Sequence, residues 1–229
     1  MMSARTVLAA FAVTCVCAGG AAAQQTHVLI ITGLGGEPQY GTVFHEAGAT
    51  IYKTAKSTWG VAQASLIYLA EDPARDPIIS ARSTRDEVSK AFATLAGRAA
   101  PGDIVLVFLL GHGSGEGLDS RVNLPGPDPT AADYKMWVSV FVKQNVVFIN
   151  ASSASGDFVQ QLAAPARIIV TATKSAMERN ESVFAKYFAR GLTSGEADAD
   201  KDGRVSVLEA FAYARKEVAR AYEGANKLQ

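Results

Sequence analysis

Two short stretches of the chain hold residue types suited to acyl-transfer chemistry, and a third could hold a metal ion. The first is LLGHGSG (109–115), where His112 stands between Gly111 and Gly113 directly after the apolar run IVLVFLL (104–110). Histidine is the side chain best suited to proton transfer near neutral pH. Glycines beside it let a backbone N–H and an imidazole come close to a bound group. The second is VVFINASSASGDF (146–158), in which the apolar Val146–Ile149 gives way to Ala151, Ser152, Ser153, Ala154, Ser155 and Gly156. A serine hydroxyl there becomes a nucleophile only beside a base that takes its proton. The third is DADKDGRVSVLE (198–209). It places Asp198, Asp200 and Asp202 at positions 1, 3 and 5 of an EF-hand-type loop, with Gly203 at the sharp turn. The backbone carbonyl of Arg204, then Ser206 and Glu209, complete the ligand spacing. Four carboxylates so close together repel unless a cation joins them, so calcium is the expected cofactor, clamping the last helix. The plainer alternative is an acidic turn that caps that helix without metal.

These groups can act only if the intervening chain brings the two strand exits to one place. Strand and helix patterns alternate throughout. HVLIIT (27–32) reads as a buried strand, residues 40–58 as a helix, and ASLIYLA (64–70) as a second strand. Ser83 or Thr84 can cap a helix running through Leu95, with Glu87 placed for a capping box. After the turn Pro101-Gly102-Asp103 come the strand 104–110, a helical stretch 131–143 and the strand of the serine run. RIIVTAT (167–173) is a further strand, ERNESVFAKYFARGL (178–192) a helix and VSVLEAFAYARKEVARAY (205–222) a last amphipathic helix. This alternation predicts one α/β domain over 24–229, a three-layer sandwich whose mostly parallel sheet is flanked by helices. If the 104–110 and 146–149 strands are parallel neighbours, His112 and the serines share an edge, the edge where open α/β sheets bind ligands.

The glycine loop GLGGEP after the first strand invites a dinucleotide reading, but the last glycine of G-x-G-x-x-G falls on Pro38. His27 begins a strand and His45 lies in a helical pattern, so both read as structural. Asp157 and Arg179 read as solvated loop charges.

The N-terminus reads as an export signal. Arg5 is followed by the apolar Val7–Val16 and the small-residue site Ala21-Ala22-Ala23, which predicts a signal peptide over 1–23 and a secreted or periplasmic protein. The apolar run is too short for a comfortable membrane span, and the residues before Cys15 and Cys17 fit a lipidation box poorly. These are the chain's two cysteines, so 24–229 has no thiol for a disulfide, a metal site or a nucleophile. Lys+Arg and Asp+Glu both number 22, which gives no overall basic field to attract nucleic acid, and no integral membrane segment is expected in the mature chain.

An apolar strand ending in His-Gly, followed one crossover later by an apolar strand ending in a small-residue elbow, resembles the caspase/legumain group of peptidases. In that group the second exit typically reads acid-Ala-Cys-x-Ser-Gly. Laid over Ala151–Gly156, the Ser-Gly pair survives, the cysteine position falls on Ser153, and the acid and alanine are lost. TATKSAMERNESVFAKYF (171–188) looks like the strand and helix that follow the nucleophile in these proteins. The resemblance implies a caspase-like fold, proteolysis as the ancestral activity, and a histidine that acts mainly on the leaving amine. Three readings follow. The first is a degenerate peptidase that binds a peptide or protein ligand. The second is an active serine-type hydrolase in which Ser153 attacks, His112 moves the proton, and the N–H groups of Gly113 and Ser153 hold the oxyanion. The third is a calcium-dependent structural or interaction protein. A one-residue shift would put Ser152 in the attacking place.

Overall fold

The computed structural model describes residues 23–178 and 183–224. The signal-peptide expectation therefore falls, apart from its last residue, outside the described residues.

Among the described residues eight strands and six α-helices follow one another along the chain: β1 (Thr26–Thr32), α1 (Pro38–Ser57), β2 (Leu66–Ala70), β3 (Ala81–Arg82), α2 (Arg85–Ala96), β4 (Ile104–Leu110), β5 (Gly113–Ser114), β6 (Arg121–Val122), α3 (Ala131–Val138), β7 (Asn145–Asn150), α4 (Asp157–Leu162), β8 (Arg167–Thr171), α5 (Phe184–Ser194) and α6 (Val207–Gly224). Six strands form one sheet in the order β3-β2-β1-β4-β7-β8, with every pairing parallel. The short β5 and β6 pair antiparallel in a separate hairpin.

The strands read as continuous apolar runs because helices cover both faces, yet the period of two survives in where each side chain goes. Val28 and Ile30 pack with Ile51 of α1, Phe188 of α5 and Ala214 of α6. Leu29 and Ile31, one residue out of step, pack with Phe92 of α2, Trp137 of α3 and Phe158 of α4. The sheet is thus the middle of three layers, as the alternation predicts.

Local chemistry sets the helix ends. Thr84 is the N-cap of α2, its hydroxyl accepting the Glu87 N–H at 3.3 Å. Thr130 and Asp133 close a reciprocal capping box on α3. Asp133 is also clamped by Arg85 of α2 at 2.6 Å, which holds its carboxyl below the ordinary range. The expected helix 131–143 stops at Val138, and the chain that follows, with its β-branched Val140 and Val142, leaves the helix. α4 is only six residues long and leaves almost no periodic signal.

Candidate functional site

β4 and β7 are parallel neighbours in register, Leu109 opposite Asn150, so both strands end at the same rim. The chain leaving β4 passes so close to the chain leaving β7 that position 113 must be glycine. A Cβ there would lie 2.3 Å from the Ser153 carbonyl oxygen and 3.0 Å from the Ser152 hydroxyl. This approach brings together two of the expected site residues: the Gly113 N–H donates to Ser153 Oγ at 3.1 Å. Ser153 Oγ in turn donates to the Gly113 carbonyl at 3.4 Å. Ser152 is held differently. Its N–H and its hydroxyl both donate to Asn150 Oδ1, at 3.1 and 2.6 Å. Both serines are buried, at 1% and 2% exposure.

His112 is half-buried on the same rim, but it is turned toward α1. Its ring stands edge-on to Tyr40 and Phe44, with centroids 5.0 and 5.1 Å away. Among the described residues no hydrogen bond joins the imidazole to Ser152 or Ser153. The expected oxyanion donor Gly113 N–H is occupied by the Ser153 hydroxyl itself.

The elbow is fixed by residues that the sequence did not mark. Ser155 N–H and Gly156 N–H donate to Thr173 Oγ1 at 2.8 and 3.2 Å, and Ser155 Oγ accepts the Ala172 N–H at 3.1 Å. Ala154 takes a left-handed φ of 51° and donates its N–H to the Glu178 carbonyl at 2.9 Å. Asp157, expected as a solvated charge, instead accepts the Gly117 N–H at 2.6 Å and ties the two exit loops together. Arg179 lies outside the described residues.

The remaining histidines lie away from this rim. His27 is buried with Nε2 3.1 Å from Asp103 Oδ2. His45 bridges Tyr68 Oη at 3.2 Å and Asp76 at 3.4 Å. Burial, then the Arg75 charge, lowers the His45 pKa, and burial pushes the Tyr68 hydroxyl up to about 12. In the first glycine loop a Cβ at Gly35 would lie 2.6 Å from Gly41, and the Gly35 N–H already donates to Glu71 at 3.0 Å. Close packing against α1 accounts for that glycine.

At the acidic loop, ligand oxygens of Asp198, Asp200 and Asp202 lie within 4.8 Å of one another. Asp198 Oδ1 is buried without a partner, the kind of orphaned oxygen a cation would satisfy, so the donor set fits a hard divalent ion. Glu209 is engaged elsewhere in this structure. Its Oε2 accepts the Ser206 N–H and hydroxyl at 2.9 and 2.8 Å, and its Oε1 accepts the Ala199 N–H at 2.9 Å. Those bonds, the Ser206 N–H first, hold its pKa down to about 2. Ser206 and Glu209 thereby form the helix-capping pair at the start of α6.

No protein-family model matches the chain, and no curated protein matches it in sequence. Solved structures do match in fold. One, described as the crystal structure of drICE, a caspase, aligns over 87% of this chain and 85% of its own at a TM-score of 0.50 and 10% identity. No described helix is long and apolar enough to cross a membrane. At that identity the likeness speaks for architecture alone: this chain has a caspase-like α/β fold.

Proposed function

We propose that the chain is a secreted caspase/legumain-like peptidase homologue that no longer cleaves peptide bonds and uses the old cleft to hold a peptide or protein segment. One observation carries the reading. The hydroxyls of both candidate nucleophiles direct their protons to carbonyl oxygens, Ser153 to the Gly113 backbone and Ser152 to the Asn150 amide. A carbonyl accepts a hydrogen bond but does not take up the proton, so among the described residues neither alcohol has a base. Where a thiolate would be partly formed at neutral pH, an unassisted serine adds several kcal/mol to the barrier, and each ~1.4 kcal/mol is tenfold in rate. The exits of β4 and β7 nevertheless lie together at the carboxyl ends of parallel strands, where open sheets bind ligands.

In this proposal calcium is a structural clamp, held by Asp198, Asp200 and Asp202 with help from the Arg204 carbonyl, Ser206 and Glu209. The second reading, an active serine hydrolase, draws support from the shared rim of His112 and Ser153. Incubation with a mixed peptide library separates the two. We expect no turnover above blank; turnover that disappears in His112→Ala would overturn the pseudo-peptidase reading. In the same preparation, calcium is expected to raise the melting temperature relative to EDTA, and an unchanged melt would remove the clamp.

A further inference from the structure

We infer that the cleft above the end of β7 takes a cationic peptide in which Lys or Arg side chains alternate with large apolar ones; this rests on the peptide-holding reading above. The strand order sets the loops after β4 and β8 on either side of the β7 exit. Each loop turns one large apolar side chain to water. Leu118, after β4, is 52% exposed and Met177, after β8, is 72% exposed. Two such side chains flanking one cleft are the apolar half of a recognition surface.

The charges supply the other half. The chain as a whole is neutral, but the described residues of these loops and the start of α4 carry Glu116, Asp119, Asp128, Asp157 and Glu178 against Arg121 and Lys174. Three of the carboxylates accept from backbone N–H groups: Asp157 from Gly117 at 2.6 Å, Asp128 from Leu124 at 2.8 Å and Glu178 from Lys174 at 3.2 Å. Those donors are neutral, and among the described residues no ion pair offsets the three charges. Arg121 commits its Nε–H to the Asp119 backbone oxygen at 3.0 Å. At the end of β7, Asn150 is fully buried and its Nδ2 has no acceptor among the described residues. An acidic, apolar-edged cleft attracts basic segments and repels acidic peptides and anionic headgroups.

The test is fluorescence anisotropy with the full chain and two labelled peptides of equal length, one alternating Lys with Leu and one alternating Glu with Leu. At low salt the Lys peptide is expected to bind at least ~10-fold tighter, about 1.4 kcal/mol, and the margin should shrink as salt screens the cleft. Asp119→Asn with Glu178→Gln should erase most of that margin at an unchanged melting temperature, and Met177→Ser should weaken the Lys peptide without altering its salt dependence. Equal affinity for both peptides, or tighter binding of the Glu peptide, overturns the charge inference and leaves the peptide-holding reading standing. Binding of neither peptide, nor of any member of a mixed library, overturns that reading itself.

Discussion

At the scale of single residues, the contact between Gly113 and Ser153 decides what the rim can do. The hydroxyl fills the space beside the Gly113 N–H, and the carbonyl of Ser153 leaves no room for a Cβ at 113. Gly113→Ala is therefore expected to destabilise the fold by about 3 kcal/mol, the scale of a forced overpacking, as read from urea denaturation. Wild-type stability in that variant would mean that the loops part at little cost. His112, Gly113 and Ser153 were legible in the sequence because their types are chemically distinctive and each follows an apolar run. Asn150 and Thr173 were not. An amide ending a strand and a threonine after one are ordinary residues, and their importance lies in partners, Ser152 for one and Ser155 with Gly156 for the other, that only the folded chain brings near. The turn of the His112 ring toward Tyr40 and Phe44 was equally hidden, since nothing local ties residue 112 to α1.

At the scale of elements, long periodic segments announced themselves and short ones did not. β1, β4, α1, α2 and α6 lie close to where spacing and caps put them. The β5–β6 hairpin, β3 and α4 are too brief to rise above a glycine-rich or polar background, and α3 ends well short of its expected limit. α4 matters beyond its length. Through Asp157 its first turn holds the Gly117 N–H of the opposite loop. Asp157→Ala removes that charge-assisted bond, and the Gly117 amide should exchange with solvent about tenfold faster or more, while amides of β4 and β7 keep their protection. Uniform acceleration across the sheet would instead show that Asp157 supports the whole fold.

At the scale of the molecule, the edge of the sheet opposite the serine rim is held by one buried carboxylate. Asp103 accepts from Gln25 N–H at 2.9 Å, Ala100 N–H at 2.8 Å and His27 Nε2 at 3.1 Å. These bonds, the Gln25 N–H first and then His27, lower its pKa. A depressed carboxyl contributes stability that is complete above its unfolded pKa near 4 and is lost as pH falls through the folded value. The protein is accordingly expected to lose stability below about pH 4, and Asp103→Ala to flatten that acid limb while costing about 3 kcal/mol at neutral pH through orphaned donors. An acid limb unchanged in the variant would assign the sensitivity to other carboxylates. The six parallel strands carry one more consequence. No two of them can zip together from a turn, because each lateral pairing joins segments separated by a crossover, and the β1–β4 ladder sets Thr26 against Ile104. Refolding from denaturant should therefore be slow, milliseconds to seconds or longer. Until β1 and β7 arrive on either side, IVLVFLL stands bare as a sticky ribbon, and clumping between unfinished chains is the process that productive folding must outrun.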